Sequence, residues 1–161
     1  MLRNPAAPFV TSVIAIVMGS GGALVLSTTI AATEGQYGSK EEARAMLQRA
    51  VAAVKENKDE ALAKFNKGDA GFKDRDLYVF CANASDGVLT AHPYLKGENL
   101  KEIVGKKGFP LGQEIMQKAT EAEIKEVSYW WPRPGSDVPL EKHTFFTKVG
   151  DQNCGVGYYK Q

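Results

Sequence analysis

Residues 74–93, Asp-Arg-Asp-Leu-Tyr-Val-Phe-Cys-Ala-Asn-Ala-Ser-Asp-Gly-Val-Leu-Thr-Ala-His-Pro, constrain this chain more than any other stretch. Two β-rich runs, residues 77–82 and 88–92, flank a polar turn that ends in Asp86-Gly87. Asp-Gly tolerates the positive φ angles of a tight hairpin, so the spacing predicts two antiparallel strands joined there. The first run is apolar almost throughout, the pattern of a strand buried on both faces. A hydrophobic segment and a helix precede the hairpin; a loop, a short helix and a second β-rich block follow it.

Residues 1–32 read as a signal peptide. Arg3 is the only charge before Glu34, the apolar core at residues 9–18 is broken by Gly19-Ser20-Gly21-Gly22, and Thr29-Ile30-Ala31-Ala32 offers small residues to a signal peptidase. About 20 apolar residues also span a bilayer, so an uncleaved membrane anchor is the alternative. Either reading places the chain outside the cytoplasm, periplasmic or secreted, or held at the inner membrane. Residues 33–38 form a polar linker, and residues 39–161 have the size of one domain. Of the 20 Lys and Arg residues only Arg3 lies in the leader, which leaves 19 bases against 19 acids and no electrostatic case for nucleic acid. Cys81 and Cys154 both follow the leader. An even pair in an oxidising compartment invites a disulfide, and two separate buried thiols are the alternative.

Ser39 and Glu42 make a capping box, and Ala43, Met46, Leu47, Ala50, Val51 and Val54 recur as one helical stripe. Lys55–Lys58 marks a break, residues 60–66 resume the helix, and Gly68 stops it. Such a Met/Leu stripe is core rather than a cofactor box. Asn83-Ala84-Ser85 matches a glycosylation sequon but serves equally as turn chemistry. Gly105-Lys106-Lys107-Gly108 lacks the Gly-Lys-Ser/Thr ending of a phosphate loop. Pro110 suits the first turn of a short helix over residues 111–121, with Ile115, Met116 and Ala119 inward. Strands follow at 124–131, 141–149 and 153–159, joined by a wide turn at 132–137 and a tight one at 150–152. In the first of these, Val127, Tyr129 and Trp131 share one face and Glu126, Ser128 and Trp130 the other. The fold class is α+β, a long N-terminal helix on a five-stranded antiparallel sheet with a short helix between strands two and three.

Catalytic signatures are absent. No Cys-x-x-Cys, His-Glu-x-x-His or Gly-x-Ser-x-Gly occurs, and no carboxylate or Cys sits at ligand spacing beside His92 or His143. What the strand ends carry instead is a set of aromatics and cations. His92 and Tyr94 follow strand two; Trp130, Trp131 and Arg133 end strand three; Lys142 and His143 open strand four. Antiparallel pairing puts the end of strand three beside the start of strand four, and aromatic walls with one or two cations suit a small carboxylate. Taken one by one, each has a plainer role: a core Trp, a solvated Arg or Lys, a His capping a turn.

Over residues 39–159 the chain resembles the single Cache domain, type 2, an extracytoplasmic PAS-like sensor family. Leu77-Tyr78-Val79-Phe80, Asp86-Gly87, Ala91-His92-Pro93 and Gly97-Glu98-Asn99-Leu100 carry the likeness. Tyr129-Trp130-Trp131-Pro132-Arg133-Pro134-Gly135, Lys142 and Gly157-Tyr158-Tyr159 complete it. The resemblance implies a ligand pocket on the sheet face away from the long helix, and acids such as acetate, propionate, lactate or pyruvate as ligands. On that expectation Lys142 and Arg133 are the candidates in the strand-end cluster for holding the carboxylate, with His92 and Tyr94 as hydrogen-bonding partners and Trp130 and Trp131 as apolar walls. The resemblance places the first and last strands side by side, which favours a Cys81–Cys154 disulfide. No cofactor is implied. Without a second transmembrane segment or an output domain, signalling is expected to pass through a membrane receptor or kinase, with a homodimer through the N-terminal helix as a further expectation. Phe145 stands where the family commonly has Tyr, and Gln152 or Asn153 where it has Trp, so the ligand set is expected to differ. The competing readings are a structural or interaction module with a plugged pocket, and a haem- or metal-binding domain using His92 or His143.

Overall fold

The computed structural model describes residues 35–160; the expected signal segment lies outside them. Helix α1 is Lys40–Glu56, and its capping box forms as expected. Ser39 Oγ accepts the Glu42 N–H at 3.2 Å, while the Glu42 carboxylate accepts the Ser39 N–H at 2.7 Å. Asn57 takes an extended backbone that ends α1, and its side chain accepts the Glu60 N–H to open α2, Lys58–Lys67. Gly68, at φ 74°, closes α2 in the left-handed region. Ala43, Met46, Leu47, Ala50 and Val54 are buried, with Val51 at the margin of the stripe.

Six strands form an antiparallel sheet: β1 Lys73–Asp74, β2 Leu77–Asn83, β3 Leu89–Ala91, β4 Lys125–Pro132, β5 Pro139–Val149 and β6 Gln152–Tyr159. Their order is β1-β2-β6-β5-β4, with β3 also paired to β2. The strand beyond the expected five is β1, two residues long and too short to leave a sequence pattern. Helix α3, Leu111–Lys118, ends earlier than predicted because Thr120 and Glu121 enter bridges with Glu123 and Lys148. Pro110 caps it rather than joining its first turn.

The opening hairpin is looser than its Asp-Gly pair suggests. Gly87 alone there has a positive φ, 87°, and the Asn83 N–H reaches the Val88 carbonyl at 2.9 Å across a longer turn. Asp86 is spent on that turn, its carboxylate accepting the Val88 N–H at 2.8 Å. β3 is short, and its register on β2 shifts at Cys81/Ala82.

β2 is the central strand, buried from Leu77 to Ala82. Its alternate residues serve two layers. Leu77, Val79 and Cys81 pack with Val156 and Cys154 of β6 against α1 and α2. Phe80 and Ala82 face the opposite layer, with Leu100, Leu111, Ile115, Tyr129 and Phe146. Cys81 lies directly opposite Cys154, Cα atoms 4.1 Å apart, and the two form a disulfide. Phe145 packs in the helix-side layer. It therefore does not replace a pocket tyrosine; the pocket-side neighbours on β5 are Lys142 and Thr144.

Candidate functional site

Register builds the site. β4 pairs with β5 so that Tyr129 is opposite Lys142, and β5 pairs with β6 so that Lys142 is opposite Tyr159. Lys142 thus projects from the sheet into a layer of phenols, 2 % exposed. Its Nζ donates to Tyr78 Oη at 3.0 Å and lies 4.4 Å and 4.9 Å from the ring centres of Tyr78 and Tyr159. The side chain runs across Gly157, where a Cβ would fall 2.2 Å from Lys142 Cε. Glycine on β6 is what lets the lysine lie down.

No carboxylate pairs with Lys142 among the described residues. Burial works against its charge, and the oxygens of Tyr78, Tyr129 and Tyr159 more than offset that, holding its pKa above the ordinary lysine range. An ammonium has three donors and Tyr78 takes one. The ammonium otherwise faces the Tyr78 and Tyr159 rings, with no acid partner among the described residues.

Beside the lysine is an inner chamber with about 30 Å³ open to the centre of a water molecule, lined by Tyr78, His92, Tyr129, Trp131 and apolar side chains from α3 and the preceding loop. That is roughly two or three water-sized positions. An outer vestibule of about 200 Å³ by the same measure shares Tyr78, His92, Leu95 and Trp131 with it and adds Tyr94, Arg133 and Pro134.

His92 lies where the chain leaves β3. Its Nδ1 accepts the N–H groups of Tyr94 and Leu95, both at 3.1 Å, so it does cap a turn. Burial, with the Lys142 charge second, pushes its pKa from 6.5 down to about 4. The ring is therefore neutral at pH 7, its proton resides on Nε2, and it offers the cavity one donor.

Other expected residues fall differently. Trp131 lines both chambers, whereas Trp130 points to the other side of β4, 36 % exposed, with Lys107 Nζ 3.2 Å from its ring centre. Neighbours on a strand face opposite ways, so the two tryptophans were never able to wall one pocket. Tyr94, 53 % exposed, stands edge-on to Tyr78 at the mouth rather than at the ligand end. Arg133 reaches the vestibule but gives its Nε to Asp76 at 3.0 Å. Tyr78 and Tyr129 went unread as site residues because each looks like core; Tyr129 shares parity with Trp131 and register with Lys142, which is the signal that marks it. His143 lies on the helix-side face, bonded to Ser128 and stacked on Tyr158, away from His92. Among the described residues no three His, Cys, Asp or Glu are grouped to hold a metal ion. No helix among them is long and apolar enough to cross a membrane.

Comparison with solved structures supports the same architecture. A methyl-accepting chemotaxis protein from Vibrio parahaemolyticus superposes with a TM-score of 0.60 at 22% identity, covering 74% of this chain and 87% of that one. The periplasmic sensor domain of a chemotaxis protein gives 0.57 at 24%, covering 75% and 90%. A structure described as the basis for carboxylic acid recognition by a Cache chemosensory domain gives 0.54 at 19%, covering 75% and 88%. At these identities the likeness concerns the fold. Among curated proteins no relative matches. A Cache domain family model matches residues 32–158, well over half of the chain, and the protein belongs to the Cache domain family.

Proposed function

We propose that this chain is an extracytoplasmic sensor module that binds a small organic acid of the acetate, propionate, lactate or pyruvate class. One observation carries the reading: the buried Lys142 ammonium has a phenol and two rings around it but no acid among the described residues. A ligand carboxylate on Lys142 Nζ, with the neutral His92 Nε2–H as second donor, supplies the missing charge. The inner chamber takes the carboxylate and a short tail against Ile115 and Trp131, which disfavours long or branched acids. The carboxylic acid recognised by one structural neighbour is in keeping with this chemistry.

The module performs no reaction in this reading. Residues 1–32 direct export or anchor it, residues 33–38 link, and residues 39–161 sense. Occupancy is passed to a membrane receptor or kinase. Calorimetric titration with acetate, propionate, lactate and pyruvate tests the proposal. Saturable heat from at least one acid, lost in Lys142→Ala, is expected. Silence across the series, or binding untouched by Lys142→Ala, overturns it.

A further inference from the structure

Two glycines of β6, Gly155 and Gly157, follow one another on the α3 side of the sheet, and each is a seat for a side chain from a neighbouring strand. Lys142 occupies one: a Cβ on Gly157 would fall 2.2 Å from its Cε and 3.1 Å from its Nζ. Phe80 occupies the other. It stands directly opposite Gly155 in the β2–β6 ladder, and a Cβ on Gly155 would fall 2.6 Å from Phe80 Cζ. The ring therefore lies down across β6, 8 % exposed, and lines the inner chamber beside the lysine.

The chamber is polar at Lys142, Tyr78 and His92 and closes on Phe80, Leu89, Leu111 and Ile115, none of which lines the outer vestibule. Those four make its blind, apolar end. The two seats are two residues apart on one strand, about 7 Å. A carboxylate oxygen stands about 2.8 Å from an ammonium nitrogen, so little more than one or two tail carbons fit before the ring. Leu111 and Ile115 come from α3, whereas Phe80 belongs to the sheet floor that also carries the cation, and it reaches its seat only because Gly155 has no side chain.

We infer that Phe80 sets the length of the acid: with its ring on the Gly155 seat, the chamber takes linear acids of two or three carbons and rejects those of four or five. The inference rests on the carboxylate reading above and adds to it the residue that decides among acids.

The test compares propionate with pentanoate by calorimetry on the full chain. The parent is expected to bind pentanoate at least about tenfold more weakly, the usual penalty of surplus methylenes in a closed apolar pocket. Phe80→Leu removes the tip of the ring. Pentanoate is then expected to gain about tenfold relative to propionate, since each newly buried methylene is worth about fourfold. Phe80→Met keeps the volume but bends out of the seat, and it should move the ratio the same way by about threefold; it decides the matter if Phe80→Leu does not fold. Phe145→Leu makes the same deletion in the helix-side layer, and should lower the melting temperature without moving the ratio. A parent that binds pentanoate as tightly as propionate, its tail running out through the vestibule, overturns the inference. So does a folded Phe80 variant with the ratio of the parent, or a Phe145→Leu ratio that shifts as far as that of Phe80→Leu; in each case the carboxylate reading stands. If propionate, acetate, lactate and pyruvate all fail to bind the parent, both fall together.

Discussion

The two faces of one sheet have been given opposite tasks. Toward α1 and α2, β2 and β6 present Leu77, Val79, Cys81, Cys154, Val156 and Tyr158, packed against the apolar stripe of the helices and cross-linked by the disulfide. Toward α3 the same two strands present Tyr78, Phe80, Gly155, Gly157 and Tyr159, alternating large rings with missing side chains, and β5 adds a buried cation. The first face follows the rule that dense apolar packing stabilises. The second keeps a buried ammonium that has phenols but no acid beside it among the described residues, and a cavity next to it. Adjacent residues of a strand are thus separated into those that pack against the helices and those that line a cavity.

That division has measurable consequences. The largest is on the helix-side face. Replacing Cys81 and Cys154 together by Ala removes a cross-link closing a long loop and is expected to lower stability by about 2–5 kcal/mol. Affinity for propionate should change less than about threefold, since neither sulfur lines the cavity. Chemical unfolding paired with calorimetry checks it, and a large affinity loss would erase the distinction between the faces.

Next is His92. Its native pKa of about 4 lies below its ordinary 6.5, so between these values the unfolded chain binds more protons than the native one. Stability from this group is complete above about pH 6.5 and is lost as the pH falls toward 4, by about 1–3 kcal/mol once its partial exposure is allowed for. Unfolding measured across that window should show the decline, and His92→Gln should flatten it.

A smaller effect is expected at Gly157. Alanine there puts a Cβ against the Lys142 stem, so the ammonium must shift. About tenfold weaker propionate binding, with about 1–2 kcal/mol of destabilisation, is the expected outcome of calorimetry and melting. Smallest is Trp130→Ala. The ring lies on the helix-side parity of β4, partly exposed under Lys107, so the loss should stay within about 1 kcal/mol and affinity should not move. A Trp130→Ala variant that loses the ligand would place the pocket on the wrong side of β4.

Much of this was legible in the sequence, for reasons that also explain the misses. The capping box at Ser39, the break at Asn57 and the stop at Gly68 are local, so composition reveals them. The buried character of β2 is likewise written in its unbroken apolar run. Asp86-Gly87 announced a turn but not its length, because Asp86 has a second use in bonding Val88. Lys142, His92 and Trp131 were readable as a cluster because cations and large aromatics at strand ends are conspicuous, and all three line one cavity. Tyr78 and Tyr129 were not, since a tyrosine in a strand looks like core until register sets it beside a lysine. The engagement of Arg133 was beyond reach, as its partner Asp76 is 57 residues away in sequence.

The central claim is that Lys142 is kept for an anion and not for the fold. Lys142→Met preserves the length and the apolar stem while removing the charge, so one variant separates the two roles. Stability of Lys142→Met should lie within about 1–2 kcal/mol of the parent, since an apolar isostere spares the cost of a buried charge. Propionate titrated into the same preparation should bind at least about 100-fold more weakly. A folded Lys142→Met protein that still binds propionate like the parent would contradict the account.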